Sequence, residues 1–355
     1  MNIKRIALTV VAATLFLTSC NTDSDLPVYT PRGDYEGGIL VVNEGPFGEG
    51  TGTITYVSGD FSEKKDNIYN AENGVEIGNI LQSMVLYGNQ AFLVVNVSNK
   101  IEVVNRFTFL RENTIDEHLV NPRYAVVANH KLYVSNWGDT ASETDDFIAV
   151  FNVETLTHEK DISVVLGPEK MNVVGTKIFI AHEGAWGINN KVSVINTGSD
   201  EISSVIEVGE VPNSMGVDSA GNLWVLCGGI PAWTGNETFG SLYMINTIAD
   251  VVEKTFTFDN AHPDHVTLDG NNVLYAINSD VYGMGANATE LPTEVLLTVD
   301  TATLYGLRAS GNYLFASHYE DYSSKGSLTM YNYMSTELLN TVSVGVGPNA
   351  VHFNN

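Results

Sequence analysis

The sequence predicts an all-β chain folded as a seven-bladed β-propeller, closed by pairing the N- and C-terminal strands in one blade. Three observations predict it: a strand motif that keeps returning, short β-branched and aromatic runs nearly throughout, and two ends that each hold half a repeat. The motif is plainest at "KLYVSNWGDT" (131–140), with relatives at "KIFIAHEGAW" (177–186), "NLWVLCGGIP" (222–231), "VLYAINSDVY" (273–282) and "YLFASHYEDY" (313–322). Each is an apolar strand closed by a polar residue or cysteine. The closing residues are Asn43, Asn96, Asn136, His182, Cys227, Asn278 and His318. Their spacing of about 40–53 residues is that of four-stranded propeller blades.

In chain order, residues 1–19 read as a lipoprotein signal peptide. Lys4 and Arg5 precede an apolar stretch, Ile6 to Leu17, too short to span a bilayer. It ends in Leu17-Thr18-Ser19-Cys20, which resembles the lipobox of bacterial lipoproteins, where the cysteine is acylated and becomes the mature N-terminus. Cys20 is therefore the expected lipidation site, and acyl chains buried at about 0.8 kcal/mol per methylene make a lasting anchor. Residues 20–37 read as an acylated flexible tether, acidic at first and then polar with proline. That acidic start also resembles the signal that exports some lipoproteins to the outer leaflet.

Residues 38–355 are the propeller. Its globular part opens with "GGILVVNEG", a second strand lacking its first, and closes with "GPNAVHFNN", a first strand lacking its second. Joining them completes one blade and leaves no open sheet edge, bringing residues near Ile39 and Val351 into neighbouring strands. Between these ends each unit keeps one order. A first strand follows a proline or its equivalent ("NPRYAVVANH", "GPEKMNVVGT", "VPNSMGVDSAGN", "HPDHVTLDGNN"), then a Gly or Asn turn, the motif strand, a variable loop, and two further strands. Helical periodicity is confined to "YNAENGVEIGNILQSM" (69–84), where a short helical turn is expected. Without alternating long helices, Rossmann and TIM architectures are excluded.

Composition narrows the partners. The formal net charge is −25, and removal of the leader takes away two cations, so nucleic acid and anionic headgroups are repelled. Besides Cys20 the chain holds one other cysteine, Cys227, so no intramolecular disulfide forms and stability must come from the core. At a strand end Cys227 reads as a small buried hydrophobe.

In such a blade the second-to-third loops and the blade-to-blade loops leave by one face. Long loops at 43–53, 136–147, 182–191, 227–241, 278–294 and 318–327 carry Phe47, Trp137, Trp186, Trp233, Phe239, Tyr282, Tyr319 and Tyr322. Large aromatics there predict a flat recognition platform, whereas Trp224 lies in a strand and packs between blades. The blade entries give a second ring nearer the axis: Arg123, Glu169, Asn213, Asp264 and Asn349 after prolines, with Gln82 and Tyr305 at comparable places. A polar ring beneath an aromatic rim suits a large, flat, amide-bearing ligand.

No metal site is expected. "HPDH" (262–265), His182, His318 and His352 lack zinc-type spacing, and Asp139, Glu143, Asp145 and Asp146 lack the order of a calcium loop. Catalytic motifs are missing too; "NEGPFGEGTG" (43–52) runs into the strand "TITYV" and is a Gly-rich hairpin loop, not a dinucleotide turn. A binding role, not an enzyme, and no required cofactor are the expectations.

The blades resemble the YncE/YVTN-repeat propellers. They are most similar to the surface-lipoprotein branch carrying "VVNEG", "LQSM", "NPRY", "GPEK" and "LWVLCGG" at corresponding positions, over residues 39–355. Members similar to this, the BtuG-type lipoproteins, capture cobalamin beside a TonB-dependent transporter. The resemblance thus implies a lipid-anchored protein on the outer membrane, facing the exterior, with cobalamin as bound ligand and that transporter as partner. Three rivals stand beside it: surface glycan binding by the same aromatics, a propeller lyase, and a protein-interaction scaffold.

Overall fold

The computed structural model describes residues 30–48, 50–299 and 303–355. Seven antiparallel sheets of four strands each follow one another along the chain. We number the blades 1 to 7 from the N-terminus. Their first strands are Pro348–Asn354, Leu81–Tyr87, Pro122–Ala128, Pro168–Val174, Pro212–Val217, Asp264–Asp269 and Leu304–Ser310. Strand-forming composition decides the local structure, and strand alternation decides what is buried. The second strands, such as Lys131–Asn136 and Lys177–His182, are buried along almost their whole length because neighbouring blades cover both faces. Fourth strands such as Val251–Thr257 alternate exposed and covered residues, as outer edges must.

The core is divided. Among the described residues buried side chains form seven clusters, each filling the space between two adjacent blades rather than one common centre. Trp224 is fully buried between blades 5 and 6, stacked on Phe256, and Cys227 is fully buried between blades 4 and 5.

Blade 1 is shared between the termini. Gly38–Asn43 pairs antiparallel with Pro348–Asn354, with Ile39 opposite Phe353 and Val41 opposite Val351. The seam is fastened by side chains: Asn354 Nδ2 donates to the carbonyls of Tyr35 (2.6 Å) and Arg106 (2.8 Å), while Arg106 Nε donates to Asn354 Oδ1 at 2.7 Å. Tyr35 is 2 % exposed, edge-on to Tyr56 and Phe109, so the packed unit begins at Arg32. Residues 32–37, read as tether, therefore belong to the folded body. The expected signal peptide and Cys20 lie outside the described residues.

The polar residues that end the second strands stitch blades together. Asn136 accepts a bond from the Val120 amide at 2.9 Å, Asn43 from the Gly345 amide at 3.0 Å, and Asn96 Nδ2 donates to the Pro122 carbonyl at 3.0 Å. Each is buried and satisfies backbone that no ladder reaches. The helical turn is Ile68–Asn73, capped by Asn67; Leu81–Met84, included in that expectation, is strand.

Blade 6 departs from the expected loop. Its second and third strands, Asn272–Ile277 and Asp280–Gly285, are joined by two residues, and the long segment comes after the third strand, at the opposite face. Tyr282 is therefore not on the loop platform. It lies mid-strand, stacked on Tyr275 at 5.5 Å in the layer between blades 5 and 6. Alternating "VLYAINSDVYGMG" supports strand on both sides of Asn278-Ser279, and such a run turns as tightly as its polar pair allows.

Candidate functional site

Every first strand carries a β-bulge within its opening residues. A bulge places an extra residue against one partner and re-aims its side chain. At the top of a propeller that side chain turns toward the axis. In six blades the bulge holds a residue of the predicted ring: Asn349, Gln82, Arg123, Glu169, Asn213 and Tyr305. In blade 6 it lies one position later, between Asp264 and Thr267, so His265 takes the inner place with a φ of +57°. Asp264 still lines the mouth, but its side chain is half exposed.

These residues enclose a mouth of ≈ 690 Å³ on the loop face, and they join blade to blade. Arg123 Nε donates to Glu169 Oε1 at 2.8 Å, Lys170 Nζ to the Asn213 carbonyl at 3.0 Å, and Asn213 Nδ2 to the Pro263 carbonyl at 3.0 Å. Across the seam, Tyr305 Oη and Asn349 Nδ2 both donate to Glu44, each at 2.8 Å, and Asn349 Nδ2 also reaches the Gln82 carbonyl at 2.8 Å. The floor is thus a belt of interlocked polar groups, held at a defined geometry before any ligand arrives.

Aromatic side chains stand around it in two groups. Trp137 and Trp186 meet edge to face at 6.2 Å, and the Arg123 guanidinium lies 4.0 Å from the Trp137 ring centroid. Opposite them, Tyr305, Tyr319 and Tyr322 form a cluster, with the Tyr319 and Tyr322 hydroxyls 2.9 Å apart. Trp186 is 77 % exposed and Phe47 79 %, so both present open rings at the lip. The buried Trp137 Nε1 has no hydrogen-bond partner among the described residues.

Charge at the mouth is mixed. Burial would discharge Arg123, but Glu169 beside it holds the guanidinium above its ordinary value. Burial likewise opposes charge on Lys170, and Tyr124, Asp264, Glu183 and Glu169 more than offset it. Burial, with Glu169 adding to it, pushes Glu183 from 4.5 to about 7, so this carboxyl exchanges a proton near neutral pH. Burial also raises Glu44, against its bonds from Tyr305 and Asn349.

Of fifteen ligand-binding residues expected from the sequence, twelve line this mouth: Phe47, Gln82, Arg123, Trp137, Glu169, Trp186, Asn213, Asp264, Tyr305, Tyr319, Tyr322 and Asn349. Three do not. Trp233 is 86 % exposed on the blade 5 loop, Phe239 packs toward His262 at 5.9 Å on the same loop, and Tyr282 is in the strand described above. Glu44, Tyr124, Lys170, Glu183 and His265 also line the mouth and were missed. Tyr124 and Lys170 directly follow ring residues, and a bulge turns both of its residues; that was the available signal.

The histidines scatter. His182 bonds Ser193 Oγ at 2.8 Å inside blade 4, His262 bonds the Gly228 carbonyl (2.8 Å) and Glu237 (3.1 Å), and of His182, His265 and His318 only His265 lines the mouth. Asp139, Asp145 and Asp146 are taken up by loop amides of Ala141, Asp139 and Gly167. Among the described residues one group brings three metal-ligating atoms together, His118, His158 and Asp161, at the rim of blade 3. Its two rings stack 3.8 Å apart and 4° from parallel, so they cannot both aim lone pairs at one ion about 2 Å away.

Ring, belt and loop face define the class: a seven-bladed β-propeller with a preformed mouth on its axis. Residues 37–230 match a family described as a domain of unknown function, DUF5074, and the chain belongs to that family. Among solved structures it is similar to the hydrazine synthase of Kuenenia stuttgartiensis, with a TM-score of 0.58 and 16 % identity over 74 % of this chain and 85 % of that one. It is equally similar to the computationally designed Ika8 protein, with a TM-score of 0.58 and 10 % identity over 91 % and 97 %. At such identities the likeness is one of fold. No curated protein matches the chain significantly.

Proposed function

We propose that this protein is a ligand-capture module whose loop face binds a large, flat, amide-bearing small molecule, a corrinoid such as cobalamin. The observation that supports it is the mouth itself: a polar belt from all seven blades under open Trp, Phe and Tyr rings, in a volume typical of small-molecule sites. The ligand lays its flat face against Trp186, Phe47 and the tyrosine cluster. Its edge amides exchange hydrogen bonds with Gln82, Asn213, Asn349 and the carboxylates below. Such a neutral, amide-rimmed ligand is not repelled by a chain of net charge −25. Anchored through Cys20 at the outer membrane and facing the exterior, the protein holds the ligand for a TonB-dependent transporter.

Isothermal titration with cyanocobalamin tests this. A one-to-one complex is expected, weakened by Trp186→Ala and by Asn349→Ala; no heat at micromolar protein and ligand overturns it. The exposure of Trp233, outside the mouth, favours a second reading in which sugars stack on the platform. A glycan array, with Trp233→Ala as the sensitive variant, separates the two.

A further inference from the structure

Below the polar belt the channel continues into a second cavity of ≈ 470 Å³, sharing Lys170, His265, Asn349 and Ala350 with the mouth. Its chemistry differs. Among the described residues no carboxylate lines it, although the chain carries 42 acidic residues against 17 lysines and arginines. Three side chains lining it share one strand position, each three residues below a belt position on its own first strand: Asn172 below Glu169, Arg308 below Tyr305 and His352 below Asn349. Three strand residues are about 10 Å of descent.

Arg308 is the unusual member. Among the described residues its guanidinium has no ion pair and no hydrogen bond, while burial by the surrounding strands lowers its affinity for a proton. Channel water still reaches it. Arg308 is exposed to the channel and uncommitted there, and its fork of five donors matches an oxyanion. The Asn172 amide is likewise uncommitted among the described residues, and His352 lies in Arg308's field.

From this juxtaposition we infer that the lower channel is a site for a small oxyanion of the phosphate or sulfate class. Arg308 is its principal ligand, His352 on the adjacent blade is its lateral donor, and Asn172 faces them from blade 4 across the channel. The site does not depend on what the mouth binds.

Thermal unfolding in inorganic phosphate, in sulfate, and in sodium chloride of equal ionic strength tests it. Chloride reports general screening of the acidic surface. Wild-type protein is expected to gain on the order of 5 °C beyond the chloride control at hundredfold excess of phosphate over Kd. Arg308→Gln should lose that gain, while its melting temperature without the anion stays equal to or above wild type. Equal responses of wild type and Arg308→Gln to phosphate, or no response beyond chloride, would overturn the assignment. Should Arg308→Gln fail to fold, His352→Asn with phosphorus NMR linewidths gives the second reading. Line broadening by wild type that His352→Asn weakens supports the site, and no broadening by wild type overturns it.

Discussion

At the mouth Arg123 sits 2.8 Å from Glu169 and 4.0 Å from the Trp137 ring centroid, whereas about 10 Å down the same channel Arg308 faces no carboxylate among the described residues. Both guanidiniums stand on first strands, yet Arg123 is covered and paired within the belt, while Arg308 is open to the channel and has no partner among the described residues. The difference is instructive about what each level is for. A belt whose groups are mostly paired with one another offers a rigid floor to a ligand that brings its own amides, and the buried Asn349 Oδ1, without a partner among the described residues, is left to accept from one. A level whose arginine has no partner among the described residues leaves that donor fork open to an anion. Net charge says nothing of this, because an acidic surface and a basic channel coexist in one chain.

The comparison can be broken at the wall that both levels share. Pro348–Asn354 supplies Asn349 to the belt and His352 to the lower level, and it also closes the ring. Deleting residues 348–355 strips the Gly38–Asn43 strand of its partner and exposes Ile39 and Val41. Loss of cooperative unfolding by circular dichroism is the expected result; a retained sharp transition would mean that the seam is dispensable. Next in size is the contrast between the two arginines. Glu169→Ala leaves Arg123 buried without its partner and should cost about 3–5 kcal/mol by chemical denaturation. Arg308→Gln should cost nothing in the absence of anion, and a comparable loss from both would erase the distinction.

Protons sharpen it further. Glu183 at the mouth has its pKa raised, so its contribution to stability is complete below 4.5 and is lost as pH rises through about 7. His352 in the lower channel is held at about 4 by burial and by Arg308, so its contribution is present above 6.5 and is lost as pH falls toward 4. Stability measured against pH should therefore change in opposite directions in Glu183→Gln and His352→Asn, each relative to wild type. Parallel profiles would show that neither group carries the linkage. Smaller still is Trp137→Leu, which removes the contact with Arg123 at about 0.5–2 kcal/mol. Smallest is Trp233→Ala, an open side chain expected to change stability within about 0.5 kcal/mol by the same denaturation assay.

Much of the mouth's lining could be read along the chain, and the misses have three causes. The ring residues Arg123, Glu169, Asn213 and Asn349 were legible because a proline marks each entry and the repeat aligns them. Lys170 and Tyr124 were not, since alternation along a strand puts neighbours on opposite faces and only a bulge overrides it. The same offset moved the inner place from Asp264 to His265. Glu44 and Glu183 follow strand ends in loops, where spacing carries no directional information. Tyr282 was lost because "INSDVY" reads as a loop by its polar residues when in fact two of them make the whole turn.

By itself the sequence determined the repeat, the strand order within each blade and the pairing of the two ends, because these follow from periodicity and from the requirement that every sheet edge find a partner. Only the tertiary structure decided which side chains meet on the axis. Distances around a closed ring depend on where each bulge falls and on which neighbour satisfies each buried charge, and those are properties of seven strands together that no single strand contains.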